Sequence, residues 1–156
     1  MQQTTVAKTV TYTGIGLHSG KSVTIVLHSA PANTGIVFAR TDLPGAPRVE
    51  AVASNVTNAM RATTLERGAA KVFTVEHLLA AFYAMGIDNC LVEIDSVEPP
   101  VADGSSLPFI RLIEEAGAVK QEALRKVMEV KETQTVRNDD KFITIIPYDG
   151  FRITFT

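Results

Sequence analysis

A chain of 156 residues that is 46% hydrophobic and 21% charged can fold one sizeable core, or one domain and part of a second. Its net charge is −2 and its fifteen Lys and Arg are scattered rather than striped, so a nucleic-acid partner is set aside. Met1 leads into the polar QQTT with no secretory pattern, no apolar run approaches the roughly 20 residues that span a bilayer, and a single cysteine excludes an intrachain disulfide framework; the expectation is a soluble cytoplasmic protein.

Val6 to Tyr12, rich in Val and Thr, reads as a strand, followed by the loop Gly14-Ile15-Gly16-Leu17-His18-Ser19-Gly20 and a second strand, Ser22 to His28. The glycines do not make a dinucleotide fingerprint, because Ser19 stands at the third glycine position and a strand follows where a helix would be needed. His18 at the loop tip and His28 at a strand end are possible ligands, although isolated histidines are more often hydrogen-bonding turn residues. Ala30 to Gly35 is turn chemistry, Ile36 to Ala39 a short strand, and Val49 to Ala53, Arg61 to Glu66 and Lys71 to Phe73 are further short strands in a poorly patterned region.

Thr74 to Gly86 is the clearest helix. Val75, Leu78, Leu79, Phe82 and Met85 form its apolar stripe, with Thr74 as expected N-cap and Gly86 as stop. At about 100° per residue, Glu76 and His77 fall on either side of the far face, where Ala80, Ala81 and Ala84 suggest close packing by something else. A first-turn glutamate suits the helix dipole in any case, and a lone histidine is usually structural. Cys90 to Ile94 reads as an interior strand with a buried, unreactive Cys90. In the loop from Glu98 to Ser106, Asp103-Gly104 reads as a turn before it reads as a site. A second helix follows, with Phe109, Leu112, Ile113 and Ala116 as its stripe, Pro108 in its first turn and Gly117 at its end.

Glu115 to Arg125 turns polar and reads as a linker. Lys126 to Val136, Phe142 to Ile146 and Phe151 to Phe155 then read as a meander with turns at Asn138-Asp139-Asp140 and Asp149-Gly150. The expected class is α+β, with two helices on a largely antiparallel sheet over residues 1–120. Residues 121–156 would open a second domain whose remainder is absent, since three strands with an uncovered apolar face stand poorly alone.

Four stretches in order, GIGLHSG at 14–20, APANTGIVFARTDL at 30–43, TVEHLLAAFYAMGIDNCLVEI at 74–94 and DGSSLPF at 103–109, closely resemble the zinc-dependent UDP-3-O-acyl-N-acetylglucosamine deacetylases of lipid A biosynthesis in Gram-negative bacteria. The resemblance extends to IPYDGFRITFT at the end of the chain. It implies two similar domains packed face to face about the active site, and a UDP-linked acylated amino sugar as substrate. His77 would be a zinc ligand. Glu76 would be the general base that takes a proton from zinc-bound water as it attacks the acetamide carbonyl. Met60, Arg61 and Ala62 match the segment that lines the floor of the site. Family members continue for about as much again, and that part supplies a second zinc histidine and an aspartate from an HxxxD motif, a catalytic histidine, an oxyanion-stabilising threonine and the acyl passage. The resemblance therefore implies that missing sequence or another chain completes the second domain and the site. The alternative for the 156 residues alone is a non-catalytic binding or structural module.

Overall fold

The computed structural model describes residues 1–155. In chain order the elements are β1 (Gln2–Val6), β2 (Val10–Ile15), β3 (Ser22–Ser29), β4 (Ile36–Arg40), β5 (Arg48–Glu50), a single 3-10 turn (Ala53–Asn55), β6 (Val56–Asn58), β7 (Thr64–Arg67), β8 (Ala70–Phe73), α1 (Glu76–Ala84), β9 (Cys90–Ile94), α2 (Leu107–Ala116), β10 (Ala118–Leu124), β11 (Gln134–Asn138) and β12 (Lys141–Ile145). The fold is α+β. Neither helix is long and apolar enough to cross a membrane.

The main sheet has five strands in the order β2-β3-β9-β4-β5, all antiparallel except β4 beside β9. In β3, Val23, Ile25 and Leu27 are buried while Thr24, Val26 and His28 are only partly covered, the period-two pattern of a sheet with one face on a core. β9 lies at the centre, and its Val92 pairs with Leu27 on one side and Phe38 on the other, all three fully buried. Each such side chain contributes about 1.5–3 kcal/mol through burial. Both helices cover this face: Phe109, Leu112, Ile113 and Ala116 of α2 and Leu78, Ala81 and Phe82 of α1 join the same core, and Tyr12 meets Phe109 edge-on at 6.1 Å. A smaller antiparallel sheet, β6-β7-β8, adds Leu65 and Val72.

The stripe of α2 and the span of β9 follow the sequence pattern. Other expectations need correction. The strand expected over Val6 to Tyr12 is broken at Ala7–Thr9, so that β1 leaves the hairpin and pairs antiparallel with β10. Glu115 to Arg125 is accordingly no linker: α2 continues to Ala116, Gly117 turns with φ 69°, and β10 returns beside β1. The polar residues of β10 have a structural use there, since Gln121 donates to the Ala30 carbonyl and accepts from Asn89, and Gln3 donates to the Leu124 carbonyl. On α1, Ala81 is buried, so only Ala80 and Ala84 remain on the open face.

Contacts within the chain separate Met1–Arg125 from the residues beginning at Lys126. In the second unit, β11 and β12 form a hairpin in which Asn138 pairs with Lys141 around Asp139, whose φ of 54° suits a tight turn. Residues 126–133 and 151–155 are not strands, contrary to the expected three-stranded meander; no neighbouring backbone among the described residues pairs with them.

At the end of β4, Arg40 is almost wholly buried. It donates to both carboxylate oxygens of Asp42, at 2.8 and 2.7 Å, and to the Lys71 carbonyl at 2.5 Å, tying the main sheet to β8. The hydrogen bond from Arg40 holds the Asp42 carboxyl below its ordinary 3.8. A lowered carboxylate pKa stabilises the fold above the unfolded value, and that contribution disappears as pH falls through the folded value. Replacing Asp42 by Asn should cost about 1–3 kcal/mol at pH 7, because a buried guanidinium loses its counter-charge. In urea unfolding of the whole chain, the gap between wild type and Asp42→Asn should close as pH drops below 3.8.

Candidate functional site

The two adjacent polar residues Glu76 and His77 open α1 and are both half-buried. Helix propensity does not set their place; the backbone before them does. Thr74 is not the N-cap, which is Val75, and no side chain caps the helix. Thr74 instead adopts φ 57° in the left-handed region and is buried. Its hydroxyl donates to Glu98 Oε2 at 3.2 Å.

Glu98 is fully buried. Its Oε1 accepts the backbone N–H of His18 at 3.0 Å and of Ser19 at 2.5 Å, and the His18 N–H also lies 3.3 Å from Oε2. The carboxylate thus sits in a nest of amides made by the glycine-rich loop, in the manner of backbone anion sites. Gly16 is required by closeness of approach: a Cβ there would lie 2.4 Å from both Glu98 Oε1 and Ser19 Oγ. On either side of Glu98 the backbone is fixed as well, with the Phe73 N–H on the Val97 carbonyl and the Val101 N–H on the Ile15 carbonyl. Three segments therefore meet below the start of α1: residues 14–20, 72–75 and 95–101.

A fourth segment meets Glu76 itself. The Thr63 N–H donates to Glu76 Oε2 at 3.0 Å, which brings the 59–63 loop against the carboxylate. Within that loop Met60 is exposed, Arg61 takes φ 65°, Ala62 is half-buried, and the Met60 N–H donates to Asn58 Oδ1. Glu76 Oε1 and the His77 ring make no hydrogen bond among the described residues. The arrangement offers one carboxylate oxygen steadied by an amide, a second oxygen with no hydrogen-bond partner among the described residues, and an imidazole on the next residue of the helix. Among the described residues no group of three or more His, Cys, Asp or Glu is gathered as a metal site.

The other singled-out residues lie elsewhere or have structural partners. The His18 ring stands 6.0 Å from the Phe73 ring, so it belongs to the scaffold beneath the helix start. His28 lies on the outer face of the sheet, 3.0 Å from Glu93 Oε2 and 3.3 Å from Thr9 Oγ1. Burial pushes the Cys90 thiol up to about 12, in keeping with an unreactive sulfur. Asp103 accepts from the Ser105 N–H and hydroxyl at 2.9 and 2.7 Å, the geometry of a turn. Sequence reasoning missed Glu98, the role of Thr74, and the Thr63 amide. Only Glu98 carried a local signal, as an acidic residue set between Val97 and Pro99-Pro100. The nest gives a prediction: Gly16→Ala must displace a fully buried carboxylate, and urea unfolding should show a loss of about 1–3 kcal/mol.

A family model described as LpxC, UDP-3-O-acyl N-acetylglycosamine deacetylase, matches residues 3–156. The chain is 44% identical to a UDP-3-O-acyl-N-acetylglucosamine deacetylase of Hahella chejuensis over 100% of its own length and 52% of the relative. It is 49% identical to one of Anaeromyxobacter sp. over 99% of this chain and 50% of that protein, and 48% identical to one of Geobacter sp. over 98% and 50%. The chain spans about half the length of the curated relatives it matches. With a match that runs from β1 through the helix start and on past β12, the chain belongs to the LpxC family of UDP-3-O-acyl N-acetylglycosamine deacetylases.

Proposed function

We propose that this chain supplies the N-terminal part of a zinc-dependent amidohydrolase site that removes the N-acetyl group from UDP-3-O-acyl-N-acetylglucosamine in lipid A biosynthesis, in the cytoplasm of a Gram-negative bacterium. The observation that carries the reading is the start of α1, where Glu76 has one oxygen on the Thr63 amide and the other unbonded among the described residues, and His77 follows it on the same helix turn. Substrate and reaction follow the names of relatives that the chain matches along its whole length.

The donor set fits such a metal in part. A catalytic zinc takes three protein ligands; His77 would be one, and the others would come from the part of the relatives' length that this chain does not span. When bound, zinc supplies Lewis-acid polarisation of water and of the amide carbonyl. The rest is the work of this chain's residues. Glu76 accepts the proton of the attacking water at its open oxygen, while the Thr63 amide keeps the carboxylate from rotating away. The helix N-terminus favours negative charge at that position. Met60, Arg61 and Ala62, next to Thr63, form one wall for the substrate. The residues from Lys126 onward open a second domain of similar type.

The test needs the protein that carries both this chain and the remaining half of the site. His77→Ala should lower bound zinc and turnover together. Glu76→Ala should lower turnover by about 10²- to 10⁴-fold while bound zinc changes far less. Undiminished turnover in Glu76→Ala would remove the general-base role.

A further inference from the structure

Thr74 stands in a left-handed conformation that a β-branched residue adopts only under strain and that glycine would adopt freely. What threonine adds is a hydroxyl, and that hydroxyl is spent on the buried Glu98 carboxylate. Glu98 is in turn fixed by two amides of the glycine-rich loop. Two residues beyond Thr74 the helix begins with Glu76, whose carboxylate meets the Thr63 amide.

From this sequence of contacts we infer that Thr74 and Glu98 are positioning residues: their hydroxyl–carboxylate contact sets the left-handed turn that aims the first turn of α1 and so holds Glu76 against Thr63 with its second oxygen open. The chain of action is short. Losing the hydroxyl frees the turn at residue 74 and lets the direction of the helix start vary. The carboxylate of Glu76 then meets the Thr63 amide for less of the time. The consequence for turnover rests on the reading of Glu76 as the base; the geometric part does not.

Thr74→Gly separates positioning from stability, because it removes the hydroxyl while relieving the backbone strain, and Thr74→Ser keeps the hydroxyl. Amide hydrogen exchange at Thr63, measured by NMR on the whole chain and referenced to urea unfolding of the same sample, reads the contact without any activity. The expected result for Thr74→Gly is an unfolding midpoint close to wild type with Thr63 exchange faster by about tenfold or more, the scale of a lost hydrogen bond to a charged group. Thr74→Ser should restore Thr63 exchange to within about threefold of wild type. Wild-type exchange at Thr63 in Thr74→Gly, or no restoration by Thr74→Ser, would overturn the positioning role. In the protein with the complete site, Thr74→Gly should lower kcat about tenfold with KM within about twofold. A wild-type protein without deacetylase activity would remove the functional reading and leave the exchange result to judge the positioning role by itself.

Discussion

A carboxylate buried without exposure is costly unless its oxygens are satisfied, and in this fold the whole surrounding of the helix start is arranged to satisfy one. Glu98 draws on two amides of the 14–20 loop and the hydroxyl of Thr74. These donors come from segments 79, 80 and 24 residues away in the chain, so the interaction can form only when the sheet and loops are already in place. Once formed, it dictates details that have no local explanation: a glycine at 16 because there is no room for a methyl, and a threonine at 74 in a conformation that suits glycine.

The sheet makes this possible. β9 is the central strand, and its path beyond Ile94 carries the chain through Val97 and Glu98 to the buried Pro99-Pro100. β8 leads directly into Thr74 and α1, and β2 leads directly into the glycine-rich loop. Three strands or loops deliver their ends to one place, and the rigid core beneath, from Leu27 through Val92 to Phe38, keeps those ends from drifting. The pair of residues with chemistry to offer sits at the end of this chain of constraints.

Much of the scaffold could be read from the sequence because its signals are local. The buried face of α2, with Phe109, Leu112, Ile113 and Ala116, and the apolar run of β9 follow directly from periodicity. Glu76 and His77 were recognisable as a pair at a helix start. What periodicity cannot supply is a partner far along the chain. The pairing of β1 with β10 joins the two ends of the first unit, and without it a polar strand looks like a linker. The same holds for Thr74, which resembles an N-cap by residue type but turns its hydroxyl to Glu98. Ala81 shows a further limit: a small residue off the apolar stripe of an ideal helical wheel is still drawn into the core.

The chain belongs to the LpxC family, and the loop around the helix start gives the roles proposed for Glu76 and His77 a physical basis. Glu76 is steadied by one amide and His77 stands beside it, on a turn held from below by a buried carboxylate. We propose that His77 would ligate zinc while Glu76 would stay off the metal as the base. Anomalous diffraction at the zinc edge, on crystals of this chain together with the rest of its site, tests it most directly. The expected result is a zinc signal at the His77 imidazole with Glu76 not among the ligands. Zinc seated away from His77, or ligated by Glu76, would contradict it.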